Sequence, residues 1–258
     1  MQKRKSYEPL DAAIIGKATS FPVTVLEETD STNTEARRRI LVGATEPCFL
    51  FAETQSAGRG RMGRSFYSPH GTGIYLTLSF PAPHTEADPL PITTAAAVAT
   101  HRAIFRATGI STGIKWVNDL IYKDRKVAGI LAESMTVEDT RYVILGVGIN
   151  LSTEEFPEEL SDVAGSLAKS SKGLRNRLAA ALCAEWERLT APLADKAWLS
   201  EYRAHSTVLG RRVVYTENGV RHEAEALAID ERGGLFVRHA DGSERTLSSG
   251  EISLRTEQ

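Results

Sequence analysis

Gln55-Ser-Ala-Gly-Arg-Gly-Arg-Met-Gly-Arg-Ser-Phe-Tyr-Ser-Pro69 carries three glycines (Gly58, Gly60, Gly63) and three arginines (Arg59, Arg61, Arg64) within seven residues. It lies between an apolar run ending near Ala52 and another beginning near Ile74, and its composition suits neither helix nor strand. The stretch therefore reads as a loop joining two buried strands, Cys48–Ala52 and Gly73–Phe80. Glycines let successive N–H groups turn toward one point, and arginines between them add forked cationic donors, so the loop is suited to an anion. Neighbouring guanidinium groups repel unless something negative lies between them; the loop is expected to be mobile when empty and to order on a phosphate-bearing ligand. The alternative is a solvated basic turn or a nucleic-acid contact.

Outward from this loop the chain alternates strands and helices. Val23–Leu26 reads as a strand, and Thr32 with Glu35 fits a capping box for a helix over Glu35–Leu41, so Ser31, Thr32 and Asn33 sit at a helix N-terminus. These three either only cap the helix or present hydroxyl and amide groups to a ligand. A helix is expected over 91–107, with Ile92, Val98, Ile104 and Phe105 apolar and Gly109 as its stop. In Gly113–Tyr122 the polar residues Lys115, Asn118 and Asp119 stand where a strand breaks and restarts, as a ligand site or as a structural Lys–Asp pair. Lys123-Asp-Arg125 reads as a hairpin turn into the strand Lys126–Glu133, where Gly129 would let a flat ligand approach the backbone. Gly146 and Gly148 in the strand Arg141–Asn150 read more readily as a bulge than as a site. Helices over 174–189 and 194–205 read as scaffold, and from about Thr207 short strands with turn signals, Asn218-Gly219 among them, make a small barrel.

The 258 residues, 41% hydrophobic and 25% charged, suit one sizeable core with a small appendage. A formal charge of −2 makes the cationic loop a local site for a small anion rather than part of a nucleic-acid-binding surface. No apolar run approaches the roughly 18 to 20 residues that span a bilayer, and nothing resembles a secretory signal, so a cytoplasmic protein without a membrane partner is expected. Cys48 and Cys183 are far apart and read as small core residues, with no Cys/His cluster to suggest zinc or a disulfide framework.

The ordered set Asp30-Ser-Thr-Asn33, Gln55 to Arg64, Ser68-Pro69, Lys115-Trp-Val-Asn-Asp119, Lys126-Val-Ala-Gly-Ile-Leu131 and Gly146-Val-Gly-Ile-Asn150 resembles biotin protein ligases, from about Val23 to the C-terminus. Two positions depart from the family pattern: Val117 stands where Pro is usual, and Phe66 where Trp is usual. Phe66 keeps an aromatic face but has no indole donor, and Val117 lacks the fixed φ of proline.

The resemblance implies an α/β (α+β) fold like that of class II aminoacyl-tRNA synthetases and biotin ligases. Its parts are an N-terminal extension (1–20), a catalytic domain (21–206) with a mixed, largely antiparallel sheet flanked by helices, and a C-terminal SH3-like barrel (207–258). It implies a ligase that activates biotin with ATP and Mg2+ as biotinyl-5'-AMP and transfers it to a lysine of the biotin carboxyl carrier protein of acetyl-CoA carboxylase. By the same resemblance Arg59, Lys115, Asp119 and Lys126 are catalytic, with Asp119 receiving or steering the incoming lysine. Ser31, Thr32, Asn33, Gln55, Gly58, Arg59, Arg61, Lys126 and Gly129 hold biotin; Arg61, Arg64, Phe66, Asn118, Lys126 and Asn150 hold ATP; no protein-bound metal is implied. Many relatives carry an N-terminal helix-turn-helix domain, for which the residues before the first motif leave no room, so no sequence-specific DNA binding is expected. Relatives often form homodimers through sheet edges, although no strand here demands it. The rival readings are a lipoate or octanoate ligase or transferase on the same fold, and a non-catalytic nucleotide- or nucleic-acid-binding module.

Overall fold

Strands form where β-branched and aromatic residues cluster, helices where Ala and Leu recur at helical spacing, and the two kinds of element layer against each other to bury those faces. The computed structural model describes residues 7–82, 89–193, 196–217, 219–250 and 252–254. In chain order its main part contains α1 (Ala12–Ile15), β1 (Val23–Thr29), α2 (Thr32–Leu41), β2 (Cys48–Gln55), β3 (Gly73–Ala82), α3 (Pro89–Thr108), β4 (Gly113–Lys115), β5 (Asp119–Tyr122), β6 (Arg125–Val137), β7 (Thr140–Asn150), α4 (Arg175–Trp186) and α5 (Ala197–His205). The C-terminal part contains β8 (Arg212–Glu217), β9 (Val220–Ile229), β10 (Leu235–Arg238), β11 (Glu244–Leu247) and β12 (Ile252–Leu254).

The first seven strands make one sheet in the order β1-β2-β3-β7-β6-β5-β4, parallel only between β1 and β2. Strand alternation sends Leu145, Val147 and Ile149 of β7 into the main core, shared with Ala96, Ile104, Leu178, Leu182 and Trp186 of α3 and α4. The opposite side chains, Tyr142 and Ile144, meet Ala36 and Ile40 of α2. Farther along that second face β7 offers Gly146 and Gly148, so α2 ends over a sheet surface without side chains.

The last five strands form an antiparallel sheet in the order β11-β10-β9-β8-β12. β8 and β9 are joined at the expected hairpin, with Glu217 opposite Val220 and Gly219 at φ +78°; Asn218 lies outside the described residues. This sheet is fastened to the larger one: Trp116 Nε1 donates to Gly233 O at 2.9 Å, and Thr207 N donates to Ile114 O at 2.9 Å.

Several local expectations are corrected. Residues 7–20, read as an extension, are packed into the main domain: Leu10 and Ile15 join its core, and the buried Arg175 guanidinium binds Glu53 (2.6 Å), Gly73 O and Glu8 O (2.6 Å). The capping box does not form; Ser31 is the N-cap without a side-chain bond, and Glu35 turns to Arg38 and Arg39 (3.1 Å each). Thr32 is thus inside the helix, and its hydroxyl is released for other partners. Phe105 is 55% exposed, on the outer side of α3, and Cys48 is half-buried at a strand start with Sγ 3.3 Å from Ser79 Oγ. Gly146 and Gly148 mark no bulge, because β7 runs in unbroken register with both neighbours. No helix among the described residues is long and apolar enough to cross a membrane.

Candidate active site

The floor of the site is a strip of glycines on the sheet face that α2 leaves open. Gly129 of β6 pairs with Gly148 of β7, and Gly146 stands two residues away on the same face. A Cβ on Gly146 would lie 2.2 Å from Asn33 Oδ1, one on Gly148 2.4 Å from the Phe66 ring, and one on Gly129 3.0 Å from Lys126 Cε. Close approach requires glycine at Gly146 and Gly148, whereas at Gly129 the neighbour is the flexible end of Lys126, and the strip brings Asn33, Phe66 and Lys126 to one surface.

At one end of the strip stands the N-terminus of α2, with Ser31, Thr32 and Asn33 all buried. Gln55 Oε1 accepts from Thr32 N (2.8 Å) and Thr32 Oγ1 (3.1 Å), and Gln55 Nε2 donates to Ser68 Oγ (2.8 Å). Thr77 Oγ1 lies 2.8 Å from Thr32 Oγ1 and 2.6 Å from Asn33 Oδ1. The polar residues of α2 thus enter a network with β2 and β3, and the capping-only alternative is removed. Gly58 is buried where a Cβ would lie 2.4 Å from Phe66 O, so the loop folds tightly onto Gln55 and Ser68.

At the other end, β4 and β5 are antiparallel with Lys115 opposite Asp119, so the polar stretch is the tip of a tight connection between them. Lys126 Nζ lies 2.7 Å from Asp119 Oδ1, which is buried and has no other hydrogen-bond donor among the described residues. The turn is held without a proline: Val117 is buried, its carbonyl accepts from Tyr202 Oη at 3.1 Å, and Asn118 bonds Ile130 through both backbone and side chain. Burial pushes the Tyr202 phenol well above its ordinary pKa, Asp119 adding to the effect and Arg61 opposing it, so Tyr202 serves as a neutral donor. Asn150 is buried at the end of β7 opposite Gly73, one ladder position beyond the Ala128–Ile149 pair.

The arginine loop bridges the two ends. Arg59 reaches Glu133 through both terminal nitrogens (3.1 and 3.0 Å), and Arg61 Nη1 donates to Asn118 Oδ1 at 3.0 Å. Arg64 is exposed at the loop base, its carbonyl accepting from Gly60 N at 2.7 Å. A carboxylate of the chain itself, Glu133, thus lies against Arg59, while Arg61 is held by the neutral amide oxygen of Asn118. Glu133, unremarked in the sequence, also takes Asn33 Nδ2 (3.0 Å) and lies 3.5 Å from Arg37. A carboxylate ending an apolar strand, in a chain with a cationic loop to be neutralised, was the available signal. Thr77 and Tyr202 were missed because a threonine in a strand and a tyrosine in a helix carry no pattern of their own.

Three comparisons bear on this geometry. Residues 25–150 match the Biotin/lipoate A/B protein ligase family, and residues 208–255 match the Biotin protein ligase C terminal domain. The chain is 35% identical over 217 residues to the bifunctional ligase/repressor BirA of Bacillus spizizenii, with 80% of this chain aligned but only 66% of that protein's length spanned. It is 31% identical over 250 residues to the biotin–[acetyl-CoA-carboxylase] ligase of Mycobacterium tuberculosis, covering 93% of this chain and 91% of that one. Its fold is similar to that of the Aquifex aeolicus biotin protein ligase in complex with biotin and ATP, with a TM-score of 0.71 and 25% identity over 91% of this chain and 99% of that chain.

Proposed function

The chain belongs to the biotin protein ligase family, and we propose that it activates biotin with MgATP and passes the biotinyl group to a lysine of a carrier protein. The observation that carries this reading is the glycine strip Gly146–Gly148–Gly129, running on one sheet face from the polar start of α2 to the Lys126–Asp119 pair. A flat ureido ring needs fixed neutral donors and acceptors, and Ser31, Thr32, Asn33 and Gln55 supply them. The apolar tail then runs along the Phe66 ring, which itself packs on Gly148, and brings its carboxylate to Lys126.

In the first step a biotin carboxylate oxygen bonds to the α-phosphorus of ATP while the bond to the β-phosphate oxygen breaks, giving biotinyl-5'-AMP and pyrophosphate. Two anions must meet, so cations fixed beforehand supply the main stabilisation. Lys126 and Lys115 stand at the reacting end, and Arg59, Arg61 and Arg64 on the loop neutralise phosphate oxygens. Asn118, Phe66 and Asn150 border the nucleotide. Closure of the loop over the adenylate excludes water.

In the second step the carrier amine bonds to the acyl carbon, AMP leaves, and the amine loses a proton. Asp119, whose Oδ1 is served among the described residues by Lys126 alone, steers that amine and accepts its hydrogen bond. The acceptor we assign is the biotin carrier of acetyl-CoA carboxylase, on the strength of the Mycobacterium tuberculosis relative's name.

Pyrophosphate release from MgATP by the full chain, compared with biotin, lipoate, octanoate and no acid, tests the reading. Release that requires biotin, with label passing to a carrier lysine, is expected. Release with lipoate or octanoate instead overturns the acid assignment, and none with any acid overturns the ligase.

A further inference from the structure

Away from this site, α3 and α5 bring together His101, Glu201 and His205, whose donor atoms all lie within 4.8 Å of one another. Glu201 and His205 are one helical turn apart on α5 and so face the same way, and His101 meets them from α3, the two imidazole rings 4.0 Å apart. Hydrogen bonds already made leave one donor atom available on His101 and one on Glu201. His101 is buried with Nδ1 2.9 Å from the buried Thr112 hydroxyl, which leaves Nε2 as its ligand atom; an outer hydroxyl or carboxylate on the second ring nitrogen is how metal-bound imidazoles are oriented. Glu201 Oε2 takes both Arg102 Nε (2.9 Å) and Nη2 (2.6 Å), which leaves Oε1. That Arg102 bond also orients the carboxylate while neutralising the guanidinium.

We propose that His101, Glu201 and His205 form a site for a divalent transition ion of the zinc class, tying α3 to the end of α5. Two imidazoles and a carboxylate suit zinc, with bonds of about 2.0–2.2 Å and an open position for water. Drawing the donors to that distance requires the part-exposed Glu201 and His205 side chains to rotate toward His101. The tie would fall where the chain leaves the main domain: His205 ends α5, Ser206 bridges Ile114, and Thr207 bonds Ile114 O, next to Lys115. His101 stands a hundred positions from Glu201, so the sequence shows only a Glu–His pair one helical turn apart and no complete metal pattern.

The test is calorimetric titration of the metal-stripped full chain with Zn2+ alone, with Mg2+ as control, followed by thermal melting. One Zn2+ per chain, no comparable Mg2+ binding and a Tm rise of roughly 5 °C are expected. Glu201→Gln and His205→Ala should each weaken binding at least about tenfold, while His222→Ala, which alters the histidine pair of the C-terminal sheet, should change nothing. On the unaltered chain Zn2+ should shield His205, but not His222 or His239, from diethyl pyrocarbonate. No saturable Zn2+ uptake, undiminished uptake in both α5 variants, or a His205 as reactive with Zn2+ as without it overturns the site.

Discussion

The ammonium of Lys126 stands 2.7 Å from Oδ1 of Asp119, and the strand position facing Asp119 is Gly129, over whose backbone the Lys126 side chain lies. The two residues are placed to serve different halves of the reaction. Lys126→Met should lower biotinyl-5'-AMP formation by about 10²–10³-fold, as loss of a fixed transition-state cation does. Asp119→Asn should leave adenylate formation largely intact and slow transfer from preformed adenylate to the carrier by about 10²-fold. Single-turnover assays of the two half-reactions measure both, and equal loss in both halves for Asp119→Asn would refute the division.

Thr32 Oγ1 donates to Gln55 and lies within hydrogen-bond distance of Thr77. Thr32→Val keeps the shape and removes the hydroxyl, at a cost of about 1 kcal/mol, or roughly fivefold in affinity. Biotin should be the ligand weakened, with ATP unaffected. Binding titrations with each ligand separately check this, and equal weakening of both would count against the assignment.

Gly146→Ala would put a methyl group 2.2 Å from Asn33 Oδ1. Asn33 must then move, disturbing its bonds to Thr77 and Glu133, at an overpacking cost of about 1–3 kcal/mol. The expected result is a folded protein of lower Tm whose biotin affinity falls more than its ATP affinity, read from melting curves and the same titrations.

Glu133 holds Arg59 in a two-nitrogen contact and also binds Asn33. Glu133→Gln should loosen the loop from the sheet, making trypsin cleavage after Arg59, Arg61 or Arg64 several-fold faster at an unchanged global Tm. Biotin with MgATP should slow cleavage in the unaltered chain. Identical digestion of both proteins would show that Glu133 does not hold the loop.

Arg175 and Glu53 form an ion pair at 2.6 Å with side chains 0% and 4% exposed. Glu53→Ala leaves a buried guanidinium uncompensated, which costs about 3–5 kcal/mol. The same carboxylate accepts from Leu10 N at 2.6 Å, so the segment around Leu10 should detach as well. A Tm drop of roughly 10 °C, with faster amide exchange over residues 7–15, is the expected reading.

Much of the fold was legible because strands, turns and helix stops are local. Lys123 and Asp124 both take positive φ (51° and 59°) between paired Tyr122 and Arg125, the tight turn expected from a short polar run between apolar strands. Gly109 stops α3 at φ +74°. Less legible was the glycine loop: Gly63 does supply a positive φ (76°), but so does Met62 (55°), and Gly58 is needed for close packing instead. The capping box failed because Gln55, distant in the chain, competes for the Thr32 hydroxyl, and a tertiary hydrogen bond replaced a local one.

By itself the sequence determined which chemistry was present: a cationic glycine loop, a Lys–Asn–Asp turn, a polar helix start and two stretches of buried strand with glycines, in the order of one family. Those are properties of residue type and short spacing, readable from a single strand or turn. Only the tertiary structure decided that Gly129, Gly146 and Gly148 lie together as one strip on which Lys126, Asn33 and Phe66 pack, because that depends on the register between β6 and β7 and on where α2 stops. The same holds for the partner of each charge: Lys126 faces Asp119 while Lys115 pairs with it only through the backbone, and Arg59 finds Glu133. Such partners are chosen by sheet order and burial, since a charge removed from water settles on whatever opposite group the packing brings within reach.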